Sequence, residues 1–220
     1  MGLAVFQQSR ILAVAAEHMR LIWIGIFLGV LIWSGIGPKD TVTWGLEVFP
    51  AVLGGVILWV TRERFPLTPL VYLLILVHCV VLMVGGHYTY AEVPLGEWFR
   101  EAFDGTRNNY DKLGHFVQGF IPVLIARELM IRLRVFNSVR WRDFFVVCFC
   151  LAFSAFYELI EWWVALLSDE AADAFLGTQG YVWDTQSDMG WALFGAIAGL
   201  LLLSKLHDRQ LRERGYLRQV

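Results

Sequence analysis

The residues of this chain that could do chemistry fall into pairs at helical spacing. Asp111 and His115 stand four apart, and Gln118 continues the same helix face. Glu158 and Glu161 stand three apart, with Ser154 one turn before Glu158. Asp184 and Asp188 are again four apart, and Arg107 and Lys112 flank Asp111. An Asp-x-x-x-His pair lets a carboxylate orient a general-base imidazole or share a metal with it. Carboxylates with one or two histidines suit a hard divalent cation such as Mg²⁺ or Ca²⁺. Arg107 and Lys112 suit phosphate. Metal, base and phosphate clamp together describe phosphoryl or phosphodiester chemistry. The candidate catalytic residues are therefore His115, Asp111 and Glu158. The candidate metal ligands are Glu158, Glu161, Asp188 and Asp184. The candidate substrate contacts are Arg107, Lys112, Gln118 and, from the stretch GGHYTYAEVP, His87, Tyr90 and Glu92.

The elements that must position these side chains are membrane spans. Of 220 residues, 57% are hydrophobic and only 17% charged, against about 25% charged in a soluble domain. Mean hydropathy is +0.55. Six apolar segments, near 21–37, 44–60, 67–85, 113–131, 144–167 and 189–204, each approach the roughly 20 residues that cross a bilayer as a helix. In lipid every backbone polar group needs an internal partner, which selects helices. The expected fold is all-α, a polytopic membrane protein of six transmembrane helices forming one domain over 1–220. Residues 1–20 read as a cytoplasmic lead-in on the membrane surface, because Arg10 and Arg20 interrupt any signal-peptide pattern. Residues 205–220 read as a basic cytoplasmic tail. The basic residues form no single-sign stripe, so no nucleic-acid partner is expected. Cys79, Cys148 and Cys150 sit in apolar runs and predict no disulfide.

Lys and Arg set the orientation. With the amino terminus inside, thirteen fall in inner segments and four (Lys39, Arg100, Arg107 and Lys112) in outer loops. That asymmetry predicts both termini in the cytoplasm. Arg127, near the inner end of the fourth span, reads as a snorkelling side chain. The acidic residues do the reverse. Loop 86–112 carries Glu92, Glu97, Glu101, Asp104 and Asp111. Loop 168–188 carries Asp169, Glu170, Asp173, Asp184 and Asp188. Glu158 and Glu161 should lie about 14 and 9 Å below the outer end of the fifth span, at 1.5 Å per residue. A carboxylate at that depth costs at least about 2.5 kcal/mol unless a cation, proton or water compensates. The inner halves of the spans read as nearly featureless, with His78 as a satisfied core histidine. Gly195 and Gly199 form a small-xxx-small pair for close helix approach.

Several of these stretches also carry a resemblance. RFPLTPLVY, GGHYTYAEVPLG, RNNYDKLGHF, SAFYELIEWW and DAFLGTQGYVWDTQSDM closely resemble the YjdF-type family of bacterial inner-membrane proteins over nearly the whole chain. That resemblance implies a multi-pass protein of the bacterial inner membrane. From residue 111 onward the chain more distantly resembles VanZ-like membrane proteins. Asp111-Lys112 with His115, then Glu158, then Asp188 with Gly195 and Gly199 match that pattern. Glu161 stands where Gln is usual and Ala192 where Asn is common. The VanZ-like resemblance implies envelope biology and lipid head-group or lipid-linked phosphodiester chemistry. A membrane lipid is thus the expected partner, and a divalent cation the expected cofactor. A cation- or proton-coupled transporter and a non-catalytic lipid- or partner-binding module are the alternatives.

Overall fold

The computed structural model describes residues 2–167 and 178–217, with side chains from residue 17 onward. Asp169, Glu170, Asp173 and Arg218 lie outside the described residues, and Arg10 outside the described side chains. The chain forms α1 (Gly2–Gly35), α2 (Thr41–Thr61), α3 (Pro69–Tyr88), a 3₁₀ turn (Tyr90–Glu92), α4 (Pro94–Ala102), α5 (Tyr110–Phe120), α6 (Pro122–Arg132) and α7 (Val139–Leu167). The last helix, α8, runs Asp184–Glu213. No strand occurs among the described residues. The protein is all-α, with six helical stretches long and apolar enough to cross a membrane. The lead-in forms no separate element, since α1 runs on through it as one helix.

Local chemistry sets the helix limits. Asp40 caps α2, its side chain accepting from Thr43 N at 2.6 Å. That bond holds the Asp40 carboxyl below its ordinary pKa. Pro69 opens α3, where its missing N–H leaves no helical bond unmade. The fourth span, Tyr110–Arg132, is broken in two. Pro122 has no N–H to give the Gln118 carbonyl, so α5 ends at Phe120 and α6 starts anew. This span is the bundle's centre and the most buried of the six.

Glycines bring α5 and α8 together. A Cβ at Gly119 would collide with the Ala192 carbonyl, and one at Gly195 with the Phe116 carbonyl. One at Gly199 would lie 2.6 Å from the Phe120 carbonyl. The two backbones therefore touch, as small residues permit between membrane helices. This contact sets Asp111 and His115 of α5 against Asp184 and Asp188 of α8.

The opposite end of the bundle is far from featureless. Glu128 is fully buried and accepts from Thr68 N at 3.1 Å and Thr68 Oγ1 at 2.8 Å. It also accepts from Arg132 Nη1 at 3.1 Å and meets His207 Nε2 at 3.1 Å. Arg127 does not snorkel. It is 2% exposed, donates to Asp208 at 2.6 Å and meets His207 Nδ1 at 3.1 Å. A charged side chain can turn inward here because His207 and Asp208 of α8 meet it. His78 departs from expectation too. It lines a cavity and makes no hydrogen bond among the described residues. All three cysteines are free.

Candidate functional site

The centre of the candidate site is the His115 ring. Its Nδ1 lies 3.0 Å from Gln118 Oε1, an acceptor, so Nδ1 carries the proton of the neutral ring. Nε2 then presents a lone pair, yet it faces Asp111 Oδ1 at 3.5 Å and Glu158 Oε1 at 3.5 Å. Asp111, His115 and Asp188 each offer a ligand atom within 4.8 Å of the others. Glu158 Oε1 and Asp188 Oδ1 are buried without a hydrogen-bond partner, in residues 8% and 3% exposed. Acceptors converging without a donor repel one another unless a proton or a cation lies among them. The donor set of two or three carboxylates and one imidazole fits a divalent cation.

Arg107 stands at the mouth of this group. Its Nη1 donates to Asp184 Oδ1 at 2.6 Å, and Nη2 lies 4.0 Å from Asp111 Oδ2. Arg107 Nε and Nη2 are nevertheless buried without acceptors. The site thus holds unanswered donors beside unanswered acceptors. Asp184 is occupied by Arg107 and does not cap α8, whose cap position is Trp183. The loop that carries Arg107 is tied down by Asn108. Asn108 Nδ2 donates to the Val93 carbonyl at 3.0 Å and to Glu97 at 3.2 Å, and its Oδ1 receives Tyr110 N. Gln179 bonds both the N–H and the carbonyl of Asn108 at 2.9 Å.

A cavity of about 380 Å³ reaches this group from the bundle interior. Its polar end is formed by Asp111, His115, Gln118, Glu47, Tyr90 and Glu161. Glu47 accepts from the Tyr157 hydroxyl at 3.1 Å. Tyr90 wedges its ring between Gly85 and Gly114, where any Cβ would collide with it. Burial, then the nearby Glu47 carboxylate, hold the Tyr90 phenol well above its ordinary pKa, so it stays a donor. The rest of the cavity is apolar and runs to Phe65, Leu67 and Leu129 near the opposite end.

The candidate residues therefore separate. Asp111, His115, Gln118, Glu158, Asp188 and Arg107 come together, with Asp184 held on Arg107. Glu161 and Tyr90 line the cavity beside them. Lys112 stands over the Tyr181 ring at 5.1 Å instead. His87 turns away to α1, its Nδ1 on the Ser34 carbonyl at 3.0 Å and its ring 4.6 Å from that of Trp33. Glu92 pairs with Lys39 at the exposed surface. His87 and Glu92 follow Gly86, which packs α3 against Glu47 and Val48 of α2 and so aims the following residues elsewhere. Glu47, Tyr157 and Gln179 belong to the site but follow from no local spacing. They meet it only through the packing of α2, α7 and the 178–183 turn.

Residues 19–209 match the family described as "Predicted membrane protein (DUF2238)". The chain belongs to this family. It is 50% identical over 186 residues to the inner membrane protein YjdF of Escherichia coli (strain K12), covering 84% of this chain and 89% of that one. No solved structure matches it. Six apolar spans and this kinship give a multi-pass protein of the bacterial inner membrane.

Proposed function

We propose that this protein binds a divalent cation and a phosphate-bearing lipid head group at its acidic end, and acts on that head group in envelope metabolism. One observation carries the reading. Buried carboxylate oxygens of Asp188 and Glu158 lack donors, while buried guanidinium nitrogens of Arg107, beside Asp111, lack acceptors. A cation bridged to a phosphate answers both. Asp111, His115 and Asp188 would hold the cation, which would polarise the phosphoryl oxygens when bound. Arg107 takes the phosphate. His115, its Nδ1 proton fixed on Gln118, would give its Nε2 lone pair to the cation, and the neighbouring carboxylate of Glu158 is the general base. It removes a proton from water, the water oxygen bonds to phosphorus, and the phosphorus–oxygen bond to the head-group alcohol breaks. The proton then passes to the leaving oxygen. The basic-residue asymmetry supports a site facing the periplasmic leaflet.

A transporter would need polar steps through the bundle. Between the acidic group and Phe65 the cavity is walled mostly by aliphatic side chains, with Thr61, His78 and Cys79 its few polar groups and the Thr61 hydroxyl already given to the Ile57 carbonyl. Such a stretch resists a hydrated ion.

The test is elemental analysis of the purified protein by inductively coupled plasma, paired with lipidomics of overexpressing and deletion cells. We expect a divalent metal that Asp188→Asn loses, and a shifted head-group profile that His115→Ala reverses. Absence of metal together with an unchanged profile overturns the proposal. A head-group shift that survives His115→Ala leaves only lipid binding.

A further inference from the structure

The walls of the cavity come from helices that do not pack on each other. α2 leans on α3, while α7 leans on α6 and α8. Between α2 and α7 lies a cleft, floored by α3 and the broken α5–α6 span. Among the described residues one hydrogen bond crosses it, from the Tyr157 hydroxyl to Glu47 Oε2 at 3.1 Å. The α2 wall runs from Glu47 to Thr61, about 21 Å at 1.5 Å per residue. Midway along it is Gly54, where a Cβ would meet nothing within 4 Å. The helix faces beside the cleft are exposed and apolar, with Leu53 and Val56 on α2 and Phe149 and Phe156 on α7. In a membrane chain these faces meet lipid tails.

Polarity is graded along the cleft. Carboxylates, tyrosines and an imidazole gather at one end, with hydrocarbon beyond. That is the polarity of a lipid molecule laid lengthwise. The length matches most of a hydrocarbon core of about 30 Å. A water-soluble substrate would have no use for the apolar arm.

We propose that the α2–α7 cleft takes one hydrocarbon chain of a membrane lipid sideways from the bilayer. The chain lies along α2 past Gly54, and its head meets Asp111 and His115. The Tyr157–Glu47 hydrogen bond is the crossbar that must open as the head passes. This proposal rests on the head-group reading above, of which it names the substrate class and the route. Fatty-acyl and polyprenyl chains share the required chemistry.

The test uses two probes in proteoliposomes of the full chain, a phospholipid and a polyprenyl phosphate, each with a diazirine at its chain end. Labelled residues are then mapped by mass spectrometry. We expect one of the probes to label the cavity residues Leu58 and Leu67, the latter buried, which also tells acyl from polyprenyl. Leu201 and Leu202, exposed on α8, report ordinary bilayer contact. Gly54→Trp should fill the arm and abolish the Leu58 and Leu67 label while keeping both the α8 label and cation binding. Gly54→Ala should keep all three. Tyr157→Phe should speed the deep labelling by removing the crossbar. Labelling confined to α8 with both probes, or deep labelling indifferent to Gly54→Trp, overturns the proposal. Deep, Gly54-sensitive labelling in a protein that binds no cation upholds the chain site and refutes the cation reading alone.

Discussion

Glu128 and Asp188 are buried acids at opposite ends of one bundle. Glu128 receives two bonds from Thr68 and one from Arg132, with His207 against the same carboxylate. Arg132 is itself held between the rings of Phe65 and Tyr216, at 3.4 and 4.0 Å. Every oxygen there has its donor. Asp188 is as deeply buried, yet its Oδ1 has none, and its neighbours Asp111 and Glu158 are acids as well. Buried polar groups are normally satisfied, and unmatched ones in a folded protein call for an explanation. The difference teaches how to read charge inside a membrane protein. At the Glu128 end the carboxylate is answered wholly by its own chain, the unpartnered buried groups being Arg127 Nε and Arg132 Nε, and the cluster serves as architecture. The Asp188 end leaves buried carboxylate oxygens that the proposed cation would answer.

The widest gap between the two ends should open with Glu128→Ala. It strands Arg132, His207 and Thr68, and should cost about 3–5 kcal/mol in unfolding from detergent micelles. A variant as stable as the parent would show that the pairing is idle. Chelation comes next. Stripping a cation present at a hundred times its Kd should remove about 2.7 kcal/mol, read as a lowered melting temperature. Glu128→Ala should keep that dependence on added cation and Asp188→Asn should lose it. Asp188→Asn without cation should then be neutral, or stabilising by about 1 kcal/mol, because it relieves an unmatched buried charge. A loss of several kcal/mol there would place Asp188 with the architecture instead. The smallest effect should be at Asp40, outside both clusters, where Asp40→Ala removes the α2 cap at about 1 kcal/mol. Its folded pKa is lowered, so its contribution is present above the unfolded value and fades as pH falls through the folded one. A pH titration of thermal stability, parent against variant, checks the sign.

The residues that could be read from the sequence were those with local spacing. The six apolar runs gave the all-α fold. Asp111 with His115, and Gly195 with Gly199, follow helix periodicity, so a shared polar face and a close helix approach were legible, though not that α5 is the helix that approaches α8. The Glu128 cluster was not, because Thr68, Glu128 and His207 come from three helices with no shared spacing. Arg127 at the end of a span looks the same on paper whether it snorkels or turns inward. Glu47 and Tyr157 meet across a cleft between helices 110 positions apart. His87 and Glu92 misled by adjacency, since Tyr90 lies between them yet alone points into the cavity. The fourth span read as one apolar run over 113–131, and its break at Pro122, which lines the cavity, was not anticipated.

The central claim is that the acidic end is completed by a cation. Calorimetric titration of Mg²⁺, Ca²⁺ and Mn²⁺ into chelator-stripped protein tests it most directly, with Asp188→Asn and His115→Ala beside the parent. Saturable binding to the parent by at least one of these ions, lost in both variants, is the predicted result. Absence of binding by the parent, or binding that both variants retain unchanged, would contradict it.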